Sequence, residues 1–199
     1  MKLSDLSGSN PAKIIKEFRQ SIASLLNSTV TDAPVSEVIM EKSPIRWEAR
    51  ISLGGKTGDP RAIPLKPAPW HLALSQKIAV VRDRRRNWSL RTLQYSYRIQ
   101  GGPDLRSDWY FRFEYKSREV LSALHPRSHL HLPVSLDCGT RRMDLSRVHI
   151  PTGPVTLEEI IRFLIQELGV KAKAKDWDSA LRISEKKFWT WTSTSDGRP

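Results

Sequence analysis

Two segments decide the fold, RTLQYSYRI at residues 91–99 and DWYFRFEYK at residues 108–116. In each, apolar or aromatic side chains alternate with polar ones, which is the period-two pattern of a half-buried strand. Between them, Gly101-Gly102-Pro103-Asp104 is a turn signal. We therefore predict a β-hairpin whose loop is longer than the tight two-residue type.

The same reasoning predicts further strands upstream of this hairpin. Residues 45–53, IRWEARISL, alternate cleanly between apolar and polar side chains, and residues 36–41 are a candidate pairing partner. Residues 77–82 resemble a short buried strand. Residues 54–70, which are rich in Gly and Pro, predict a long loop.

Helices are predicted on both sides of these strands. Asn10 can cap a helix that begins at Pro11 and continues with apolar residues at helical spacing. Farther along, Thr156-Leu-Glu-Glu159 is a capping box, and an apolar face follows it until Gly169, where a helix would end. A last helix is predicted near residues 176–188.

Together these elements predict an α+β fold. We expect a curved, mainly antiparallel sheet of about five strands, flanked by an N-terminal helix and one or two C-terminal helices. The predicted organisation is an N-terminal helical segment at 1–35, an α+β core domain at 36–191 and a flexible tail at 192–199.

The composition narrows the class of protein. Hydrophobic residues make up 39% of the 199 residues, which is enough for a core, and the single cysteine, Cys138, excludes a disulfide framework within the chain. No apolar run approaches the ~20 residues of a membrane span, and the N-terminus has no apolar signal stretch. We expect a protein of a reducing cytoplasm with no membrane partner.

The positive charge is concentrated in one part of the chain. The net charge is +12, and residues 77–127 hold 12 Lys or Arg against 5 Asp or Glu. A concentrated positive field attracts polyanions such as RNA, and it would also attract an acidic inhibitor or antitoxin protein. The candidate nucleic-acid contacts are the arginine run and nearby basic and aromatic residues: Arg82, Arg84, Arg85, Arg86, Trp88, Tyr97, Arg98, Tyr110 and Arg127.

Four of the five histidines lie between residues 125 and 149. In an extended segment His129 and His131 share one face, while Leu130 and Leu132 occupy the other, which we expect to be buried. Two adjacent imidazoles can serve as acid and base in RNA cleavage without a metal or another cofactor, because their ordinary pKa is close to neutral pH. Arg112 would bind the phosphate, with His125 and His149 in supporting roles.

Two alternatives to this ribonuclease hypothesis stay open. A His-x-His pair on a strand, with His125 or His149 as a third ligand, can bind zinc in a metal-dependent hydrolase. The histidines can also be structural, in which case the basic residues would belong to a non-catalytic nucleic-acid-binding or assembly protein.

The order of these features resembles the TumE-type toxins of bacterial toxin–antitoxin modules. The similarity lies in residues 91–168: an aromatic-arginine strand, WYFRFEY at 109–115, a His-rich segment with His-x-His, and a capped helix. The matching positions are Arg112, Tyr115, His125, His129 and His131. The resemblance implies a small basic ribonuclease with an antitoxin partner.

Overall fold

The computed structural model describes residues 10–54, 61–67, 69–83, 86–120, 126–137 and 139–192, with only the backbone described for 187–192. Within these residues the chain forms three helices and ten strands. In chain order they are α1 (Pro11–Thr29), β1 (Val35–Lys42), β2 (Arg46–Leu53), β3 (Ile63–Pro64), β4 (His71–Arg82), β5 (Trp88–Gln100), β6 (Trp109–Lys116), β7 (Ser128–His131), β8 (Ser135–Asp137), β9 (Arg142–Asp144), β10 (Ile150–Pro151), α2 (Leu157–Gln166) and α3 (Trp177–Thr192).

One antiparallel sheet organises the chain. Its strands lie in the order β1-β2-β4-β5-β6-β7-β10, and the short β3 pairs with β4. The α+β class, the antiparallel pairing and the β5–β6 hairpin are therefore confirmed, but the expected number of about five strands is wrong. The additional strands β3 and β10 have two residues each and contain proline, so they are too short to show an alternating pattern.

The helices pack on one face of this sheet. Ile15 and Leu26 of α1, Ile161 of α2 and Leu181 of α3 are fully buried in one core. From the sheet, alternate residues of β5 such as Tyr97 and Ile99 enter the same core. We call the opposite side of the sheet, which none of the described helices covers, the open face.

Local signals at the helix ends explain where the helices begin. The Asn10 side chain accepts a hydrogen bond from the Ala12 backbone N–H, as predicted for α1. Thr156 and Glu159 form the predicted capping box of α2 through reciprocal hydrogen bonds of 3.2 and 2.7 Å. Gly169, beyond the end of α2, has a φ of 68°, a conformation that glycine adopts without strain.

The segment that follows β7 contains an element that the sequence analysis did not predict. The polar stretch that follows β7 contains an exposed two-stranded ribbon, β8–β9, which is separate from the main sheet. Residues 193–199 of the tail predicted at 192–199, Cys138 and most of the Gly-rich part of the 54–70 loop lie outside the described residues, and residue 192 is the last residue of α3. Among the described helices, none combines the length and apolar character that crossing a membrane requires.

Candidate histidine site on the open face

Three neighbouring strands bring the site together. In the register of β6 and β7, Arg112 lies opposite His131 and Glu114 lies opposite His129. β10 pairs with the other edge of β7, so His149, just before Ile150, reaches the same place. Because directly paired residues share a face of a sheet, all these side chains belong to the open face.

The three imidazoles of His129, His131 and His149 are in mutual contact. Their ring centroids are 4.6 to 4.8 Å apart, and one ligand nitrogen from each ring lies within 4.8 Å of the others. His129 and His131 are buried, with 2% and 4% of their surface exposed, and His149 is half-buried. We call these three residues the histidine cluster.

The hydrogen bonding of the cluster leaves specific nitrogens available. Nδ1 of His129 lies 2.9 Å from the carbonyl oxygen of Pro126. Because a carbonyl only accepts, Nδ1 must carry the hydrogen, and in the neutral ring Nε2 then carries the lone pair. Neither ring nitrogen of His131 has a hydrogen-bond partner among the described residues, although both are buried.

Glu114 approaches the cluster from β6. Its Oε2 atom lies 3.4 Å from Nε2 of His129 and 3.4 Å from Nε2 of His131. Its Oε1 atom accepts a hydrogen bond of 3.4 Å from the Ser96 hydroxyl and lies 3.5 Å from Nε of Arg112. Burial raises the pKa of Glu114, but its electrostatic interactions with Arg112, His131 and His129 outweigh this effect, so its pKa lies below the ordinary value.

His131 is held in its neutral form. Burial, reinforced by the positive charge of Arg112, lowers its pKa to about 4 despite the opposing influence of Glu114. A neutral imidazole in this position can accept a proton or bind a metal at neutral pH, but it has no second proton to donate as an acid.

Two arginines face each other beside the cluster. Arg98 of β5 is the direct cross-strand partner of Arg112, which in turn is the partner of His131. Arg98 donates a hydrogen bond to the Leu105 carbonyl, and the Arg112 guanidinium lies 4.9 Å above the Trp109 ring. Burial and the charge of Arg112 both lower the pKa of Arg98. Like charges directly opposite each other destabilise a sheet, so this pair is suited to an anion placed between them.

The other predicted nucleic-acid contacts lie elsewhere. Trp88, with Arg82 stacked on its ring, is ten positions before Arg98 on β5, which is about 30 Å along an extended strand. Arg82 and Trp88 are therefore at the far end of the strands from the cluster. Arg86, between β4 and β5, is exposed and has a φ of 64°. His125, Arg84 and Arg85 lie outside the described residues.

The aromatic predictions need one clear correction. Tyr97 is 1% exposed, stacks on Tyr95 and accepts a hydrogen bond from Gln76, so it belongs to the core and cannot stack on a base. Tyr110 is 40% exposed, with its ring against Trp70. Arg127 donates a hydrogen bond to the Tyr115 hydroxyl and is exposed.

The orientation of the histidine strand also differs from expectation. His129 and His131 do lie side by side, as predicted, but they are more buried than Leu130 and Leu132, which are only half-buried. The reason is that Trp109, Glu114 and His149 surround the two imidazoles.

Glu114 and Trp109 are the site residues that the sequence prediction missed. Arg112 and Glu114 are two positions apart on one strand, as are His129 and His131 on another, so the alternation pattern would place each pair on one face. Only the register between the two strands shows that the pairs meet. Comparisons with protein-family models, with curated proteins and with solved structures found no significant match to the chain.

Proposed function

We propose that this protein cleaves RNA at the histidine cluster. The observation that carries the proposal is the opposed pair Arg98–Arg112 next to the cluster on the open face. A phosphodiester bound between these guanidinium groups would offset their repulsion and would place its phosphorus atom close to the imidazoles.

The surrounding surface supports a polyanionic substrate. Seven cationic side chains of β2, β4, β5 and β6 lie on the open face, against three carboxylates: Glu48 and Glu114 from the strands, and Glu119, which pairs with Arg46 and Arg91. The cationic residues are Arg46, Arg50, Lys77, Arg91, Arg98, Arg112 and Lys116. Such a surface attracts the phosphate backbone of RNA without regard to sequence.

The reaction we propose is transesterification. A base removes the proton of the ribose 2′-hydroxyl, and the O2′–P bond forms while the P–O5′ bond breaks. The departing O5′ takes up a proton, which leaves a 2′,3′-cyclic phosphate and a 5′-hydroxyl. Arg112 would stabilise the charge that develops on the phosphate oxygens.

The cluster can serve this reaction as an acid–base pair or as the ligand set of a metal ion. An acid–base pair needs one ring that donates a proton and one that accepts it, and we assign these two roles to the adjacent imidazoles of His129 and His131. The resemblance to TumE-type toxins supports the same substrate class and suggests an acidic antitoxin as the natural inhibitor.

The test is cleavage of a 5′-labelled RNA by untagged protein, beside a DNA strand of the same sequence. We expect the RNA to be cut to 2′,3′-cyclic phosphate ends and the DNA to stay intact. Arg112→Gln should slow cleavage by about 100-fold or more, since loss of one charge-stabilising donor typically has this effect. His71→Ala is the matched control, because His71 is the histidine of β4 that lies outside the cluster.

Each remaining outcome rejects the proposal. Salt-sensitive RNA binding without turnover would make the protein a binding module. Equal cutting of RNA and DNA would exclude attack by the 2′-hydroxyl. Full activity of Arg112→Gln would show that Arg112 does not bind the phosphate.

A further inference from the structure

We propose that His129, His131, His149 and Glu114 form a binding site for one divalent first-row transition-metal ion, with zinc as the best fit. The proposal goes beyond RNA cleavage and does not depend on it, because the site is argued only from the geometry of the four side chains.

The spacing of the ligand atoms supports tetrahedral coordination. Two ligands of a zinc ion with bonds of about 2.0–2.1 Å are separated by about 3.3–3.4 Å along an edge of the tetrahedron. Oε2 of Glu114 lies at 3.4 Å from Nε2 of both His129 and His131. Two edges of the required polyhedron are therefore in place, and the nitrogens of the three imidazoles, which lie within 4.8 Å of one another, would move closer together on binding the ion.

The direction of the lone pairs supports a cation at the centre. The hydrogen bond from Nδ1 of His129 to the Pro126 carbonyl directs the lone pair of Nε2 toward Glu114. A metal-bound histidine usually donates its other ring N–H to a carbonyl or carboxylate in this way, which fixes the orientation of the ring. A cation between Nε2 and Oε2, either a metal ion or a proton on Nε2, prevents the repulsion between this lone pair and the carboxylate oxygen.

The lack of hydrogen bonds to the ring nitrogens of His131, among the described residues, is a second observation. This side chain is 5% exposed, and among the described residues neither of its ring nitrogens makes a hydrogen bond. Buried polar atoms in native proteins nearly always have a partner. A metal ion would satisfy Nε2, which is the nitrogen that already faces Glu114.

The donor set indicates the class of metal. Three imidazoles and one carboxylate suit Zn²⁺ and its first-row neighbours, whereas Ca²⁺ and Mg²⁺ prefer oxygen ligands alone. Glu114 is held from behind by Ser96 and Arg112, which fixes its Oε2 atom toward the imidazoles.

The experiment measures metal binding directly. Untagged protein is stripped with chelator, dialysed, and titrated with ZnCl₂ by calorimetry. CoCl₂ is added in a parallel sample, because tetrahedral Co²⁺ has a strong visible absorption. We expect one ion per chain, a tetrahedral Co²⁺ spectrum, and a rise in the melting temperature with zinc concentration. His131→Gln and His149→Gln should each weaken zinc binding by at least about 100-fold. Loss of a direct ligand should cost at least as much as the upper end of the roughly 10- to 100-fold loss that is typical when an outer-shell partner is removed.

His71→Gln is the matched control and should bind zinc as the wild type does. If His131→Gln does not fold, His149→Gln still tests the site, because His149 is the least buried of the three imidazoles and its replacement should disturb the fold least. Failure to bind zinc or cobalt stoichiometrically, or equal binding by His149→Gln, overturns the metal site. Zinc binding without RNA cleavage would support the metal site and reject the proposed function. Undiminished cleavage by a protein that binds no metal would support the proposed function and reject the metal site.

Discussion

The hydroxyl oxygen of Tyr95 accepts a hydrogen bond of 2.7 Å from the backbone N–H of Val155. Tyr95 is in the middle of β5, and Val155 lies between β10 and α2. This bond therefore connects the centre of the sheet to the segment that carries His149 into the site. The Tyr95 ring stacks on the rings of Tyr97 and Tyr115, with centroids 4.6 and 5.3 Å away.

Replacing Tyr95 by Phe tests this connection. The change keeps the stacked ring but leaves the Val155 N–H without its acceptor, so we expect a loss of about 1–2 kcal/mol in the free energy of unfolding. Urea denaturation measures the loss. Tyr110→Phe, at an exposed tyrosine, should change stability by less than about 0.5 kcal/mol. An equal effect of the two substitutions would contradict the prediction.

A second prediction concerns the capping box of α2. Thr156→Ala removes the side-chain acceptor for the Glu159 N–H and should destabilise the protein by about 1 kcal/mol. Thr156→Ser retains the acceptor oxygen and should restore most of this loss. If the serine variant is as unstable as the alanine variant, the methyl group of Thr156 contributes the stability and the cap does not.

The third prediction concerns pH. Glu158 is 4% exposed, and burial raises its pKa above the ordinary value of 4.5, although the Ser184 hydroxyl donates to it at 2.5 Å. Above pH 4.5 the unfolded chain releases this proton before the folded chain does, so this group reduces stability as the pH rises toward its folded pKa.

Glu158→Gln removes the ionisation and keeps an acceptor for Ser184. We expect the variant to melt at a higher temperature than the wild type at pH 7, with a smaller difference at pH 4. Thermal unfolding across this range measures both values. A difference that does not vary with pH would mean that the charge of Glu158 is not responsible.

The fourth prediction concerns the open face. Arg50, Lys77, Gln94 and Lys116 form one cross-strand row on this face. Lys116→Gln should weaken binding of 2′-O-methyl RNA, which cannot undergo the proposed reaction, and should lower the slope of log affinity against log salt by about 0.7. Fluorescence anisotropy at several salt concentrations gives this slope.

Lys13→Gln is the control for this measurement. Lys13 is an exposed cation on α1, on the helical side of the sheet. Lys13→Gln removes the same charge from the protein as Lys116→Gln. An equal loss of RNA affinity in both variants would therefore show that net charge alone is responsible, with no role for the open face.

Features governed by neighbouring residues were predictable from the sequence. The alternation in 91–99 and 108–116 gives the β5–β6 hairpin, and Thr156 with Glu159 gives the start of α2, because both signals depend on side chains a few positions apart. The two-residue β10 has no such signal. Its place beside β7 depends on backbone pairing across 20 positions of sequence, as between Leu130 and Ile150.

The site was predictable to a similar extent. His129 and His131 were placed on one face from their spacing, and His149 was included because it is near in sequence. Glu114 was missed because its role depends on the register of β6 against β7. Tyr97 was assigned to the wrong environment because alternation shows which residues share a face, but not which face the helices cover.

The late position of β10 in the chain determines when the site can form. The sheet from β1 to β7 is complete once residue 131 has been added, yet the third imidazole arrives only with His149. While a ribosome is still making the first 148 residues, the growing chain therefore carries an unfinished cluster. For a cluster that binds a metal ion, this order of synthesis would add the last histidine ligand only after the strands that hold the other two have been made.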